Sequence, residues 1–217
     1  MTPAQQAIQP PTEEAYAKID GWCSPTKRGY LQGVIHAMRP ALVVEIGTFG
    51  GSSAIPMAVA LAQNPPLAHG LLPHIVCIDP WEPSPAVEGM KHEGSIKWWT
   101  ELNYSAVMEG FLAAVKQFGV RDYVKVIRKT SDDAIAAFEP GTIDLLHIDG
   151  CHSFEPCRRD CVNYLPRVKV GGIIVMDDAG WVEGGVETVR PNIQWMIENG
   201  CDHVTEVTGA TVLRRVR

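Results

Sequence analysis

No apolar stretch in this chain of 217 residues approaches the ~18 residues of a membrane-crossing helix, so no transmembrane segment is expected. No basic segment followed by an apolar run stands near the N-terminus, and no signal peptide is expected. Basic runs are missing too. With 19 basic and 25 acidic residues the net charge is −6, which argues against nucleic acid as a bulk partner. Six cysteines, at 23, 77, 151, 157, 161 and 201, form no CxxC pair. Cys157 and Cys161 have helical spacing, which a metal could use; buried free thiols of a cytoplasmic protein are the simpler reading. There is no G-x-G-x-x-G turn, which argues against a nicotinamide dinucleotide. Internal repeats and dividing linkers are also absent. What is present is an ordinary globular composition, 46% hydrophobic and 20% charged, at a length that suits one full core.

Met1 to Pro11, rich in Pro, Gln and Ala, reads as a mobile arm. Thr12 is placed to cap a short helix, and Ser24 to cap a second with Pro25 at its first position. Residues 1–20 are thus an arm and helix, and 21–217 a single domain. Tyr30, Leu31, Val34, Ile35 and Met38 give the second helix a core-facing stripe. Ala41 to Gly47 is a buried strand, followed by a helix from Ser52 to Ala62. His74 to Asp79 is a second strand. Trp81 to Tyr104, broken by Pro83, Pro85, Gly89 and Gly94, is read as irregular. Ala106 to Phe118 is a helix, Tyr123 to Arg128 a third strand, and Ser131 opens a helix from Asp132 to Phe138. Next come a strand at Ile143–Ile148, a helix at Phe154–Leu165 and a strand at Ile173–Met176. The loop AGWVEGG leads to a helix from about Val186 to Glu198. His203–Val207 and Thr211–Val216 make an antiparallel hairpin. Alternating strands and helices predict an α/β, Rossmann-like, doubly wound fold. Its seven-stranded sheet is mostly parallel, with the antiparallel hairpin at the C-terminal end.

The stretch from Ile143 to Asp178 concentrates the chemistry. Each apolar run ends in acid: Asp149 after the first, Asp177 and Asp178 after the second. Parallel strands would bring all three carboxylates to the C-terminal edge of one sheet, where open α/β sheets bind ligands. His152 follows Asp149 by three residues. Three carboxylates and an imidazole suggest a hard-cation site with a base beside it. His147, on the other face of its strand from Ile148, reads as a satisfied core histidine. Asp144 reads as solvated, Glu155 and Asp160 as a polar helix face, and Glu88 as loop surface.

Glu45-Ile-Gly-Thr-Phe-Gly-Gly-Ser-Ser follows a strand and opens a helix. Glycines let backbone approach a ligand, and the helix start offers free N–H groups. An acid two residues before the first glycine would repel a diphosphate and suits a cationic ligand. Asp79, at the end of the next strand, is placed for ribose hydroxyls. Thr130-Ser-Asp-Asp, after the third strand, is placed for an adenine edge. An amino group, a ribose and an adenine without phosphate describe S-adenosylmethionine.

The run VVEIGTFGGSS, VCIDP, TSDD, IDLLHIDGCHSFE and VKVGGIIVMDD resembles class I S-adenosylmethionine-dependent methyltransferases. It looks most like their metal-dependent O-methyltransferase branch, which includes catechol-type, macrolide-sugar and cephalosporin-hydroxylase-like proteins. The resemblance covers about Gly21 to the C-terminus. It implies that Glu45 contacts the methionine amino group, through the loop. Gly47, Phe49 and Gly51 would wrap the methionine part, with Ser53 in the first helical turn. Asp79 would hold the ribose, Ser131 and Asp132 the adenine side. Asp149 would contact the cofactor and, with Asp177 and Asp178, hold Mg²⁺ or another divalent cation. His152 would be the base that deprotonates a small-molecule hydroxyl. Trp81, Trp98, Trp99 and Trp181 are candidates for the acceptor wall. The implied acceptor is a sugar, polyketide or other secondary metabolite. Cys151 and the segment Trp81–Tyr104 depart from the family pattern, which leaves the acceptor and O- versus N-transfer open. A metal-independent methyltransferase, a nicotinamide oxidoreductase and a non-catalytic binding module are the alternatives. The N-terminal arm leaves a homodimer open.

Overall fold

The computed structural model describes residues 9–217, so residues 1–8 of the expected arm lie outside the described residues. Five strands run parallel: β1 (Leu42–Ile46), β2 (His74–Ile78), β3 (Val124–Ile127), β4 (Ile143–Ile148) and β5 (Val168–Met176). A short hairpin follows, β6 (Val182–Glu183) with β7 (Val186–Glu187). Then come β8 (Cys201–Val207) and β9 (Ala210–Arg215), with β9 antiparallel to both β5 and β8. The seven-stranded sheet has the order β3-β2-β1-β4-β5-β9-β8. The order reverses between β1 and β4, so a crevice opens there at the C-terminal strand ends.

The helices are α1 (Glu13–Tyr16), α2 (Pro25–Met38), α3 (Ala54–Gln63), α4 (Pro83–Ala86), α5 (Glu93–Glu101), α6 (Tyr104–Gln117), α7 (Ser131–Ala134), α8 (Phe154–Tyr164) and α9 (Arg190–Glu198). Successive strand residues face opposite sides. Val43, Ile75 and Leu145 join one core with Leu31, Ile35, Phe111 and, Pro56 apart, the residues Ala54–Leu61. Val44, Val76 and Leu146 join a second with Cys157, Cys161, Tyr164, Ile193 and Met196. The sheet is therefore covered on both faces, as parallel sheets require. Helix α3 is buried all round, which its unbroken apolar sequence allows.

Both predicted caps form. Thr12 Oγ1 accepts from the Ala15 N–H and Ser24 Oγ from the Lys27 N–H. Several expectations are corrected. Met38, the last residue of α2, is exposed rather than core-facing. The segment Trp81–Tyr104 is not irregular: it holds α4 and α5, the latter capped by His92, whose Nδ1 accepts from the Ser95 N–H at 3.1 Å. Gly171 and Gly172 do not precede β5 but lie inside it. They absorb a register shift between Ile143↔Val168 and Leu145↔Ile173. AGWVEGG is not a plain loop, since β6 and β7 turn on Gly184 and Gly185, both at positive φ. Asp144 is not free in solvent. Its Oδ2 accepts from the Ala41 and Leu42 N–H groups, both at 2.9 Å, and its Oδ1 from Lys169 Nζ at 2.5 Å.

Candidate active site

A cavity of about 870 Å³ lies over the C-terminal ends of β1, β2, β4 and β5. That is within the ~300–1,000 Å³ usual for small-molecule sites. Gly47, Phe49 and Ser53 line it from the loop that joins β1 to α3. The Gly47 N–H donates to the Ile78 carbonyl at 2.9 Å, and Gly51 closes the turn onto Thr48 at 2.9 Å. Gly47 has φ +84, and a side chain there would overlap the Asp149 carbonyl. Gly51 has φ +88, and its missing side chain makes room for the Phe111 ring rather than for a ligand. Gly51 does not line the cavity. Gly51 thus seats the loop on the helix behind it, while Gly47 both packs on β4 and lines the cavity.

Glu45 is fully buried beneath this loop and does not line the cavity. Its Oε1 accepts from Ser53 Oγ at 2.6 Å and lies 3.0 Å from His147 Nδ1. Its Oε2 finds no hydrogen-bond donor among the described residues. On the other side of the imidazole, His147 Nε2 is 3.5 Å from Asp177 Oδ2, which also accepts from Lys27 Nζ at 2.5 Å. A buried line of charge therefore runs Glu45, His147, Asp177, Lys27. Burial alone would lower the His147 pKa, but Asp177 and Glu45 outweigh it and push it up to about 10. Burial would raise Asp177, yet His147 and Lys27 hold it well below the ordinary carboxylate range.

Nearer the cavity mouth stands a second cluster. His152 Nε2 is 3.4 Å from Asp149 Oδ1 and 3.5 Å from Asp178 Oδ2. Ligand atoms of Asp149, His152 and Asp178 lie within 4.8 Å of one another, and so do those of His147, Asp149 and Asp177. Among the described residues no such group holds all three predicted ligands, Asp149, Asp177 and Asp178, together. The reason is local. Asp177 turns inward, its Oδ1 accepting from the Asp178 N–H at 2.9 Å and its Oδ2 from Lys27, while Asp178 takes φ +49 and turns toward the cavity. Burial and the Asp177 charge push Asp149 up to about 6. For His152, burial pulls the pKa down, but Asp149 and Asp178 prevail and raise it above 6.5.

At the far end of the cavity Asp79 Oδ2 accepts from the Phe49 N–H at 2.9 Å and Oδ1 from the Trp81 N–H at 2.7 Å. Ser131 and Asp132 line the same end, as expected. Trp98, Trp99 and Trp181 line the cavity too, with the Trp181 ring 5.1 Å from His152. Trp81 does not: it is 2% exposed, stacked on Phe111, with its indole N–H held by the Phe49 carbonyl at 3.0 Å. It is a core residue, because its positive φ turns it back under the loop.

Trp22, Lys27 and Asp160 also line the cavity, although the sequence did not mark them as site residues. Trp22, 66% exposed, sits edge-on to Trp98 at 5.8 Å and against Phe49 at 5.1 Å, so the aromatic wall starts before β1. Lys27 and Asp160 left a signal. Lys27 falls on the stripe of Leu31 and Ile35, and Asp160 on that of Cys157, Cys161 and Tyr164. A charge inside an apolar stripe is buried with the stripe, and buried charge needs a partner. Asp160 is accordingly no polar helix face. Glu88 is no idle surface acid either, since Arg159 Nη2 reaches both its oxygens at 2.8 and 2.9 Å.

Comparison with known proteins matches this arrangement to one family. A family model described as a methyltransferase domain matches residues 44–179. The protein y4gI of Sinorhizobium fredii, itself uncharacterised, is 27% identical over 176 residues, which cover 77% of this chain and 17% of that protein. The chain therefore spans about 17% of the length of the curated relative it matches. Among solved structures, the O-methyltransferase TomG from Streptomyces achromogenes, in complex with S-adenosylmethionine, superposes with a TM-score of 0.63 at 16% identity, over 95% of this chain and 92% of that one. An O-methyltransferase from Bacillus cereus, in complex with S-adenosylhomocysteine, gives 0.60 at 15% identity, over 95% and 92%. These two likenesses bear on the fold, and the match to residues 44–179 on the family. The sheet order, the crevice at its switch point and that match agree: the chain belongs to the methyltransferase-domain family.

Proposed function

We propose that this chain transfers the methyl group of S-adenosylmethionine to a hydroxyl of a small molecule. The observation that carries the reading is the Asp149–His152–Asp178 cluster, which faces the same cavity as the Gly47–Ser53 loop and Asp79. Donor and acceptor would meet in one chamber. Glu45, buried beneath the glycine loop, would favour a cationic ligand group through that loop rather than by contact. Asp79 presents a carboxylate already oriented by two backbone N–H groups, which suits ribose hydroxyls. The O-methyltransferases of the same fold, one with the donor and one with its product bound, support the choice of donor.

Asp149 and Asp178 would hold a divalent cation such as Mg²⁺. Their carboxylates reach the cavity, oxygen donors suit a hard cation, and Asp177 is committed to Lys27. Bound there, the cation would favour the ionised form of a neighbouring hydroxyl. His152, its ring set against the Asp149 and Asp178 carboxylates, takes the acceptor's proton. Asp149 and Asp178 hold the imidazole in place. Trp181 covers it, and Trp22, Trp98 and Trp99 exclude water from an acceptor held in attack geometry. The wall suits a partly apolar hydroxylated metabolite, a polyketide or a sugar carried on one.

A second reading has its own support. Lys27 already neutralises the inner carboxylate, so transfer without a metal is chemically open. Calorimetry with S-adenosylhomocysteine and NADH, and a methylation assay with and without EDTA, separate the possibilities. Binding of S-adenosylhomocysteine alone, with activity lost in EDTA and in Asp149→Ala, is the expected result. Activity that persists in EDTA selects the metal-free reading, and tight NADH binding without S-adenosylhomocysteine binding removes both.

A further inference from the structure

The short strand β6 turns its valine out and its acid in: Val182 is exposed, while Glu183 is only 3% exposed. An inward carboxylate is costly unless its oxygens are bonded. Here both are. Oε1 accepts from the Trp181 indole N–H at 2.9 Å, and Oε2 from the Lys91 backbone N–H at 3.0 Å. Glu183 does not line the cavity. Trp181 does, with its ring 5.1 Å from His152.

Lys91 belongs to the segment between Trp81 and Tyr104. Both of those ends are buried, yet no residue from 82 to 103 is. Met90, Trp98 and Trp99 of this segment line the cavity, so it forms a strap across the chamber without a core of its own. Such a segment opens at far lower cost than the sheet. On one side, Trp98 and Trp99 rest on Trp22 and Phe49. On the other, the strap is tied at Glu88 and Lys91. Glu88 pairs with Arg159, and its carbonyl accepts from Cys151 Sγ at 3.2 Å. Water screens that ion pair, and a thiol is a weak donor. The bond from Lys91 is different, because its acceptor is charged and shielded from water. Gly184 leaves room for it: a side chain there would stand 3.1 Å from Lys91 Cδ.

We propose that Glu183 is a positioning residue: one oxygen latches the strap over the cavity, and the other fixes Trp181 against His152. A single carboxylate thereby couples closure of the chamber to the cover over the base. The latch rests on this geometry, and its service to methyl transfer rests on the function proposed above. The test is hydrogen exchange followed by NMR, in the wild type and in Glu183→Met, which keeps the bulk and removes both acceptor oxygens. The Lys91 amide and the Trp181 indole proton should exchange at least about tenfold faster in the variant, measured against the amides of β1 and β4. A merely structural role would speed strap and sheet by the same factor, and that result overturns the proposal. An unprotected Lys91 amide in the wild type overturns it without any variant. In stopped flow, S-adenosylhomocysteine should leave Glu183→Met about tenfold faster than the wild type, because it departs through the opened strap. Equal rates overturn the latch as a closure of the chamber. The exchange measurement uses no ligand, so it judges the latch even where the wild type fails to bind S-adenosylhomocysteine, a result that sinks the donor reading instead.

Discussion

Lys27 turns one carboxylate of the acid cluster into a structural group. Its ammonium and Asp177 are both nearly inaccessible, at 9% and 2% side-chain exposure. Removing one partner of such a pair leaves the other charge uncompensated, at about 3–5 kcal/mol. Lys27→Met keeps the apolar stem, so the urea midpoint should fall by the equivalent of about 3 kcal/mol with m unchanged. An unmoved midpoint would mean that water reaches Asp177. His147 carries a pH signature. Its folded pKa is raised from 6.5 to about 10, so its contribution is complete below 6.5 and is lost as pH rises toward about 10. His147→Gln should therefore destabilise more at about pH 6 than at about pH 10, as thermal melts would show. His152 has a functional one. A base must be neutral, so activity should rise with pH as the imidazole loses its proton. His152→Ala should lower kcat by roughly 10²–10⁴-fold and leave S-adenosylhomocysteine affinity nearly unchanged; a wild-type kcat would remove it from catalysis.

At the scale of elements, the join between β1 and α3 is the least replaceable part. Gly47 stands at φ +84 with the Asp149 carbonyl where a side chain would go. Gly47→Ala should cost about 1–3 kcal/mol in strain and displace the end of β4. The expected readout is a lower Tm together with weaker S-adenosylhomocysteine binding, and full retention of both would show that the loop has slack. This join was legible in sequence because strand, glycine turn and helix each leave a local mark. The sheet strands were legible for the same reason, down to the acids that end β2, β4 and β5. Other elements were not. Helix α5 has neither Ser nor Thr at its cap, and a histidine does that work through its ring. The β6–β7 hairpin is too short to alternate, so its Gly-Gly turn was read as loop. At the candidate site the identities of Asp149, His152 and Asp178 were readable. The inward turn of Asp177 was not, because the lysine that causes it lies 150 residues away in the chain.

At the scale of the whole molecule, the residues just before α2 belong to the same core as the sheet. Tyr16 and Ile19 pack into the cluster that holds α2, α3 and α6, Tyr16 stacks on Phe118 at 5.5 Å, and Arg28 pairs with Glu13. We therefore propose that residues 1–20 contribute to the stability of the 21–217 unit. A chain lacking residues 1–20 should lose roughly 3–5 kcal/mol, the worth of two buried side chains. A Tm equal to that of the longer chain would make the segment a separate appendage.

The line Glu45, His147, Asp177, Lys27 also has a consequence for synthesis. Its outer members lie 150 positions apart, from the second helix to the turn just after the fifth strand. A nascent chain emerges at about 5–20 residues per second. Until Asp177 clears the ribosome, the lysine lacks its counterion in this line, and the interior it faces cannot seal around it. The donor-side half of the chamber is then finished among the last steps of folding, although its glycine loop is translated in the first quarter of the chain.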